Sequence, residues 1–151
     1  MPQPGIPAGL CKNFIFFPCP LDGERFKASP ALSGFRADPR EKSGYLDCFK
    51  NGWIGQRPGD SIRFEVEASC IAVQYRKTVR RPALAARLIL DGDTEHPISL
   101  DGNFDEDWGD CLYLEPVLHR GQRGIHTVEI IVTDTRTEGA APFYLLSLIV
   151  A

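Results

Sequence analysis

Strict alternation of apolar and polar residues recurs along the chain. After the Pro58-Gly59 turn, Ile62, Phe64 and Val66 alternate with Arg63, Glu65 and Glu67, and beyond Ala68-Ser69 the pattern resumes with Ile71, Val73 and Tyr75. A period of two sends one row of side chains into a core and the other into water, which predicts half-buried strands. Two such strands joined by a short turn predict an antiparallel hairpin. Residues 125–133 alternate as well, with His126, Val128, Ile130 and Val132 on one parity. The run Phe143 to Val150 is apolar on both parities and predicts a strand central to a two-layer core.

Shorter signals fill in the rest. Phe14 to Phe17 predicts a strand ending at Pro18, Tyr45 to Phe49 an edge strand, and Asn51-Gly52 a turn ahead of Trp53-Ile54. Leu88 to Leu90 closes at Asp91-Gly92-Asp93, His96 to Leu100 is short and partly extended, and Cys111 to Leu114 restarts the strand pattern. From Pro18 to Gly44, proline and glycine recur too often for regular structure, so this stretch reads as a long loop pinned by Phe26, Leu32 and Phe35. Many short strands, frequent turns and no amphipathic helix predict an all-β, antiparallel two-sheet β-sandwich, jelly-roll-like. One domain over residues 14–151 is expected, with 1–13 as a Pro/Gly-rich linker.

Composition narrows the functions. The 151 residues carry a formal net charge of -3, which argues against the basic footprint of nonspecific nucleic-acid binding. No apolar run reaches the length of a membrane span, and Met1 to Leu10 lacks the regions of a signal peptide, so a cytoplasmic location is expected. Five cysteines without regular spacing point to reduced thiols, with Cys70 and Cys111 buried and inert.

Gly59-Asp60-Ser61-Ile62 spells the nucleophile motif of an esterase family. A serine nucleophile needs a histidine base and an oxyanion hole, normally after a buried strand. Ser61 instead opens a strand after Pro58, and His96, His119 and His126 carry no companion motif, so Ser61 reads as a turn residue. Asp101, Asn103, Asp105 and Asp107 offer oxygens at alternate positions in a loop free of lysine and arginine, an arrangement that suits calcium. It departs from the EF-hand, with Glu106 where the sharp-turn glycine belongs and Leu112 where the closing glutamate belongs, and a solvated acidic loop is the plainer reading. Residues 76–87 form the opposite case, a basic loop with Arg80 and Arg81, able to pair with a neighbouring domain or subunit or simply to be solvated. Trp108, set among acids in a loop, is the aromatic expected to be exposed for stacking on a sugar ring, with Tyr113, Arg80 and Arg81 as further ligand-binding candidates.

Gly52-Trp53-Ile54, Pro58 to Phe64, Ile89 to Gly92, Tyr113 to Leu118 and Gly124 to Ile130 occur in that order. The series resembles the β-sandwich accessory domain attached to many bacterial SGNH/GDSL-family hydrolases, over most of residues 18–151. The resemblance implies a non-catalytic, carbohydrate-binding-module-like domain whose partner is an SGNH/GDSL catalytic domain in cis. That family's catalytic serine, oxyanion-hole residues and Asp-x-x-His block belong to the other domain, and none can be placed here. Three functions follow for comparison: a carbohydrate-binding domain, an interdomain or homodimer-forming module, and a stand-alone esterase using Ser61.

Overall fold

A computed structural model describes residues 30–41, 43, 48–133 and 138–151, together with the backbone of 14–16. The expected linker 1–13, Cys11, Cys19, Phe26 and positions 45–47 of the expected edge strand lie outside the described residues; Cys48 and Phe49 form a turn.

The strands are β1 (Phe14–Phe16), β2 (Ala31–Ser33), β3 (Arg36–Ala37), β4 (Trp53–Gly55), β5 (Ser61–Ala68), β6 (Ile71–Lys77), β7 (Ala86–Leu90), β8 (Ile98–Leu100), β9 (Cys111–Leu118), β10 (Gly124–Val132) and β11 (Phe143–Val150). One sheet runs β3-β4-β11-β6-β9, with β1 paired to β11 beyond β4, and the other runs β2-β5-β10-β7-β8. Every strand pair is antiparallel. The chain is the expected all-β, jelly-roll-like sandwich.

The alternating stretches supply the core. Ile62, Phe64, Val66 and Ala68 of β5 and Val128, Ile130 and Val132 of β10 meet Ile71, Val73 and Tyr75 of β6 and Phe143, Leu145, Leu148 and Val150 of β11. Trp53 of β4 packs edge-to-face on Phe64 across the two sheets, with centroids 5.4 Å apart. A bulge between Leu145 and Ser147 resets the parity of β11, so that Leu148 and Val150 face inward while Ser147 donates to Gln74 Oε1 at 2.7 Å. The outer face of β11 is sealed too. Tyr144 and Leu146 form a second apolar cluster with Ile54, against which Cys48 and Phe49 pack. This second cover is why the strand is apolar on both parities.

Several expectations are corrected. β5 and β6 do not form a hairpin, because β5 pairs with β2 and β10 while β6 pairs with β9 and β11. Ser69-Cys70 is an arch that carries the chain from one sheet to the other. Tight two-residue hairpins need residues that tolerate positive φ. Ser69 and Cys70 have no such need here, and both donate their N–H groups to the Ala151 carbonyl, at 2.7 and 3.0 Å. Alternation is identical in a hairpin and in an arch, so the sequence pattern did not separate them. The second correction concerns the stretch 18–44, which holds two short strands. Gly34, at φ +90° and pressed against Asp60, turns the chain from β2 in one sheet to β3 in the other. Phe35 is buried as expected, whereas Leu32 is 45% exposed. Cys70 and Cys111 are free and half-buried rather than buried, and Cys48 is free and half-buried too.

Candidate functional site

Strand directions sort the loops into two ends. Residues 56–60, 78–85, 101–110 and 138–142 gather at the end where β5 begins and β6 ends, and segments 69–70, 91–97 and 119–123 lie at the opposite end.

At the first end, the basic and acidic loops meet each other. Thr78 donates its N–H to Gly102 O and accepts from Phe104 N–H on its own carbonyl. Its hydroxyl donates to Asp110 Oδ1 at 2.7 Å. Asn103 accepts from Ala83 N–H and donates to Ala83 O and to Asp101 Oδ1. Arg81 reaches Asp105 at 3.6 Å, and Arg76 stands 4.0 Å from Asp110 with its guanidinium over the Tyr144 ring. Burial lowers the Arg76 pKa, and the nearby Asp110 carboxylate opposes that shift. The basic loop is also less solvated than expected, because Ala83, Leu84 and Ala86 are in the core.

This pairing braces the aromatic candidates. Trp108 is 69% exposed and stands edge-on to Phe104, centroids 5.3 Å apart. Tyr113 is partly exposed at the start of the edge strand β9, edge-on to the buried Tyr75 at 5.4 Å, with the Lys77 ammonium 4.4 Å over its ring. Arg80 is exposed, its backbone N–H held by the Thr78 hydroxyl. An indole fixed by a neighbouring ring can stack on the apolar face of a pyranose, while cations at the same end of the sandwich can bond its hydroxyls.

Three of the four candidate metal ligands are engaged otherwise. Asp101 and Asn103 bond each other, Asn103 is further committed to Ala83, Asp105 faces Arg81, and Asp107 is exposed. Among the described residues, no three histidine, cysteine, aspartate or glutamate side chains gather as cation ligands.

Ser61 has the setting expected of a turn and strand start. Asp60 Oδ2 accepts the N–H groups of Gln56 and Arg57, Gly59 sits at φ +90°, and Ser61 opens β5 opposite Ile131. The histidines belong to the other end. His126 lies five residues along β10 from Ile131, roughly 17 Å of strand. Its Nδ1 faces Asp91 Oδ2 at 2.8 Å and its Nε2 faces Gln122 O at 3.3 Å. His96 bonds Asp93, and His119 follows β9. No histidine base stands beside Ser61.

Both ring nitrogens of His126 face acceptors, which favours the charged imidazolium. The hydrogen bond to Asp91 raises its pKa, burial opposes the rise, and the Gln122 carbonyl adds to it. A raised histidine contributes stability fully below its unfolded value of about 6.5 and loses that contribution as pH rises through the folded value. The chain is therefore expected to melt at a higher temperature at pH 6 than at pH 8, by a margin that shrinks in His126→Gln. An unchanged margin in that variant, followed by circular dichroism, would refute the assignment.

The comparisons with known proteins now bear on this geometry. A solved two-domain esterase (CEX) active on acetylated mannans matches with a TM-score of 0.77 and 42% identity, over 87% of this chain and 38% of its own. That structure was co-crystallized with mannopentaose, and a second structure of the two-domain esterase matches with a TM-score of 0.76. The chain matches the β-sandwich part of a two-domain esterase. It spans about two fifths of that relative's length. A family two carbohydrate esterase from Cellvibrio japonicus also matches, at 18% identity and a TM-score of 0.48, over 80% of this chain and 32% of its own. No protein-family model matches the chain, and no curated protein does. The β-sandwich that the motif order implied is the architecture found, and it is similar to part of a two-domain esterase.

Proposed function

We propose that this chain is the non-catalytic sandwich domain of a carbohydrate esterase, presenting polysaccharide to a catalytic domain attached in cis. The 42% identity to the sandwich part of an esterase active on acetylated mannans carries the reading. The Ser61 environment supports it, since the histidines stand at the far end of the sandwich. The loop end with Trp108, Tyr113, Arg80 and Arg81 is the surface that holds the glycan. Leu112 and Leu114, exposed on the outer face of β9 beside an apolar pocket floored by Ala72, Pro116 and Ile149, give the catalytic domain a face to pack on.

The test is affinity electrophoresis of the 151-residue chain in gels containing acetylated mannan. Retardation is expected, and Trp108→Ala should weaken it roughly ten-fold or more, as loss of a central aromatic contact does. Migration unaffected by mannan would overturn the reading. Hydrolysis of p-nitrophenyl acetate should be the same for the chain and for Ser61→Ala. A serine-dependent rate would restore the stand-alone esterase.

A further inference from the structure

The outer face of the second sheet holds a cavity that the function above does not use. It measures about 310 Å³ and is lined by Arg63, Ile89, Asp91, Gly92, Thr127 and Glu129. Pairing register builds it. Glu129 of β10 stands between Arg63 of β5 and Ile89 of β7, and one step along, Thr127 lies beside the Asp91-Gly92 turn. That turn has both residues at positive φ, 52° and 74°, the pairing a tight reversal requires. Asp91 Oδ1 accepts the Thr127 N–H at 2.8 Å and Oδ2 is committed to His126, so the wall is rigid and its carboxylate is spent.

The remaining charges are not spent. Arg63 and Glu129 face each other in register, yet among the described residues neither side chain has a hydrogen bond or an ion pair. Ile89, on the far side of Glu129 from Arg63, is only 4% exposed although it points away from the core, and forms an apolar floor. The cavity thus offers donors from a guanidinium, acceptors from a carboxylate, a threonine hydroxyl and an apolar base, with no net charge among its free groups. An anion would face Glu129 and a cation would face Arg63, while a neutral polyol with vicinal hydroxyls can use both and lay its C–H face on Ile89.

We infer that this cavity is a second sugar-binding subsite, for a neutral pyranose, on the sheet face remote from the Trp108 loop end. The inference rests on the carbohydrate-binding reading above and names a further place for the chain of sugars. Two contacts at separate points along one polysaccharide raise overall affinity without strengthening either site. Without an aromatic platform, the subsite is the weaker of the two.

Titration of the isotope-labelled 151-residue chain, followed through its amide resonances, distinguishes the possibilities. The probes are mannopentaose and trigalacturonate. Mannopentaose should shift the amides of Arg63, Ile89 to Gly92 and Thr127 to Glu129, and trigalacturonate should leave them in place. In the Arg63→Ala/Glu129→Ala variant those shifts should titrate roughly ten-fold more weakly, and in Trp108→Ala they should persist. Both substitutions lie on exposed or half-exposed positions, and an unchanged melting temperature confirms the fold. Shifts confined to the Trp108 loop end would overturn the subsite while leaving the carbohydrate-binding reading standing. Silence at both places would overturn both. Equal response to trigalacturonate, or groove shifts undiminished in the double variant, would also sink the subsite.

Discussion

Replacing Asp38 by alanine should cost about 3 kcal/mol and lower the melting temperature by roughly 10 °C. Asp38 is 1% exposed and sits under the outer cover of the first sheet. Its Oδ2 accepts from the Tyr144 hydroxyl at 2.6 Å and from Arg40 Nη2 at 2.7 Å, and its Oδ1 accepts from Arg40 Nε at 2.9 Å. Its backbone N–H donates to Gly52 O, and Gly52 N–H donates to the Tyr144 hydroxyl at 3.0 Å. Removing the carboxylate leaves a buried hydroxyl and part of a guanidinium without their acceptor, and such orphans cost more than the bonds contribute when made. Arg40 is itself 55% exposed on its side chain, so water screens the ion pair and the hydrogen bonds carry most of the effect. Tyr144→Phe, which orphans only one N–H and one carboxylate site, should cost about 1–2 kcal/mol.

The same group sets an acid limit. Arg40's hydrogen bonds hold the Asp38 carboxyl well below the usual carboxylate range, burial opposes them, and the Tyr144 hydroxyl reinforces them. A depressed carboxylate contributes its stability above the unfolded value of about 3.9 and loses it as pH falls toward the folded value. Unfolding free energy measured in urea should therefore decline below about pH 4 more steeply for the chain than for Asp38→Asn. Parallel declines would refute this.

Little of that network was legible in the sequence. Asp38 lies among Arg36, Arg40 and Glu41 like any solvated charge, and its tyrosine partner is 106 residues away. What could be read was local. The alternation of β5, β6 and β10 named the inward residues correctly, and the double parity of β11 pointed to a strand central to the core, without announcing its outer cover. Partnership between strands was the harder part, since Ile62 to Val66 and Ile71 to Tyr75 face a core equally well in a hairpin or across an arch. At the candidate site, the exposure of Trp108 followed from its acidic loop neighbours. The meeting of the basic and acidic loops did not, although their opposite signs were the available signal: two uncompensated loops of one domain are each other's nearest remedy. The groove at Arg63, Ile89 and Glu129 was illegible for a related reason. Each residue looks like an ordinary outward strand position until register sets three strands side by side.

Phe143→Ala should be costlier still, about 4 kcal/mol and roughly 8–16 °C in melting temperature. Phe143 is fully buried where β11 begins, stacked on Tyr75 at 5.7 Å and edge-on to Phe35 at 6.5 Å. Both of its neighbours are large rings that cannot flow into the space, so a cavity term adds to the lost transfer energy. The consequence reaches the surface. Tyr75 is the ring against which Tyr113 rests, so the line Phe35–Phe143–Tyr75–Tyr113 runs from the core to the exposed edge of the candidate glycan site. Loss of Phe143 should free Tyr75 to tilt and weaken mannan retention even at temperatures where the variant stays folded. Phe143→Leu, which refills most of the volume without restoring a stacked ring, separates the two effects. It should recover more than half of the lost stability but little of the retention. If retention instead tracks stability across both variants, the aromatic line merely packs the core, and Tyr113 owes its position to β9 alone.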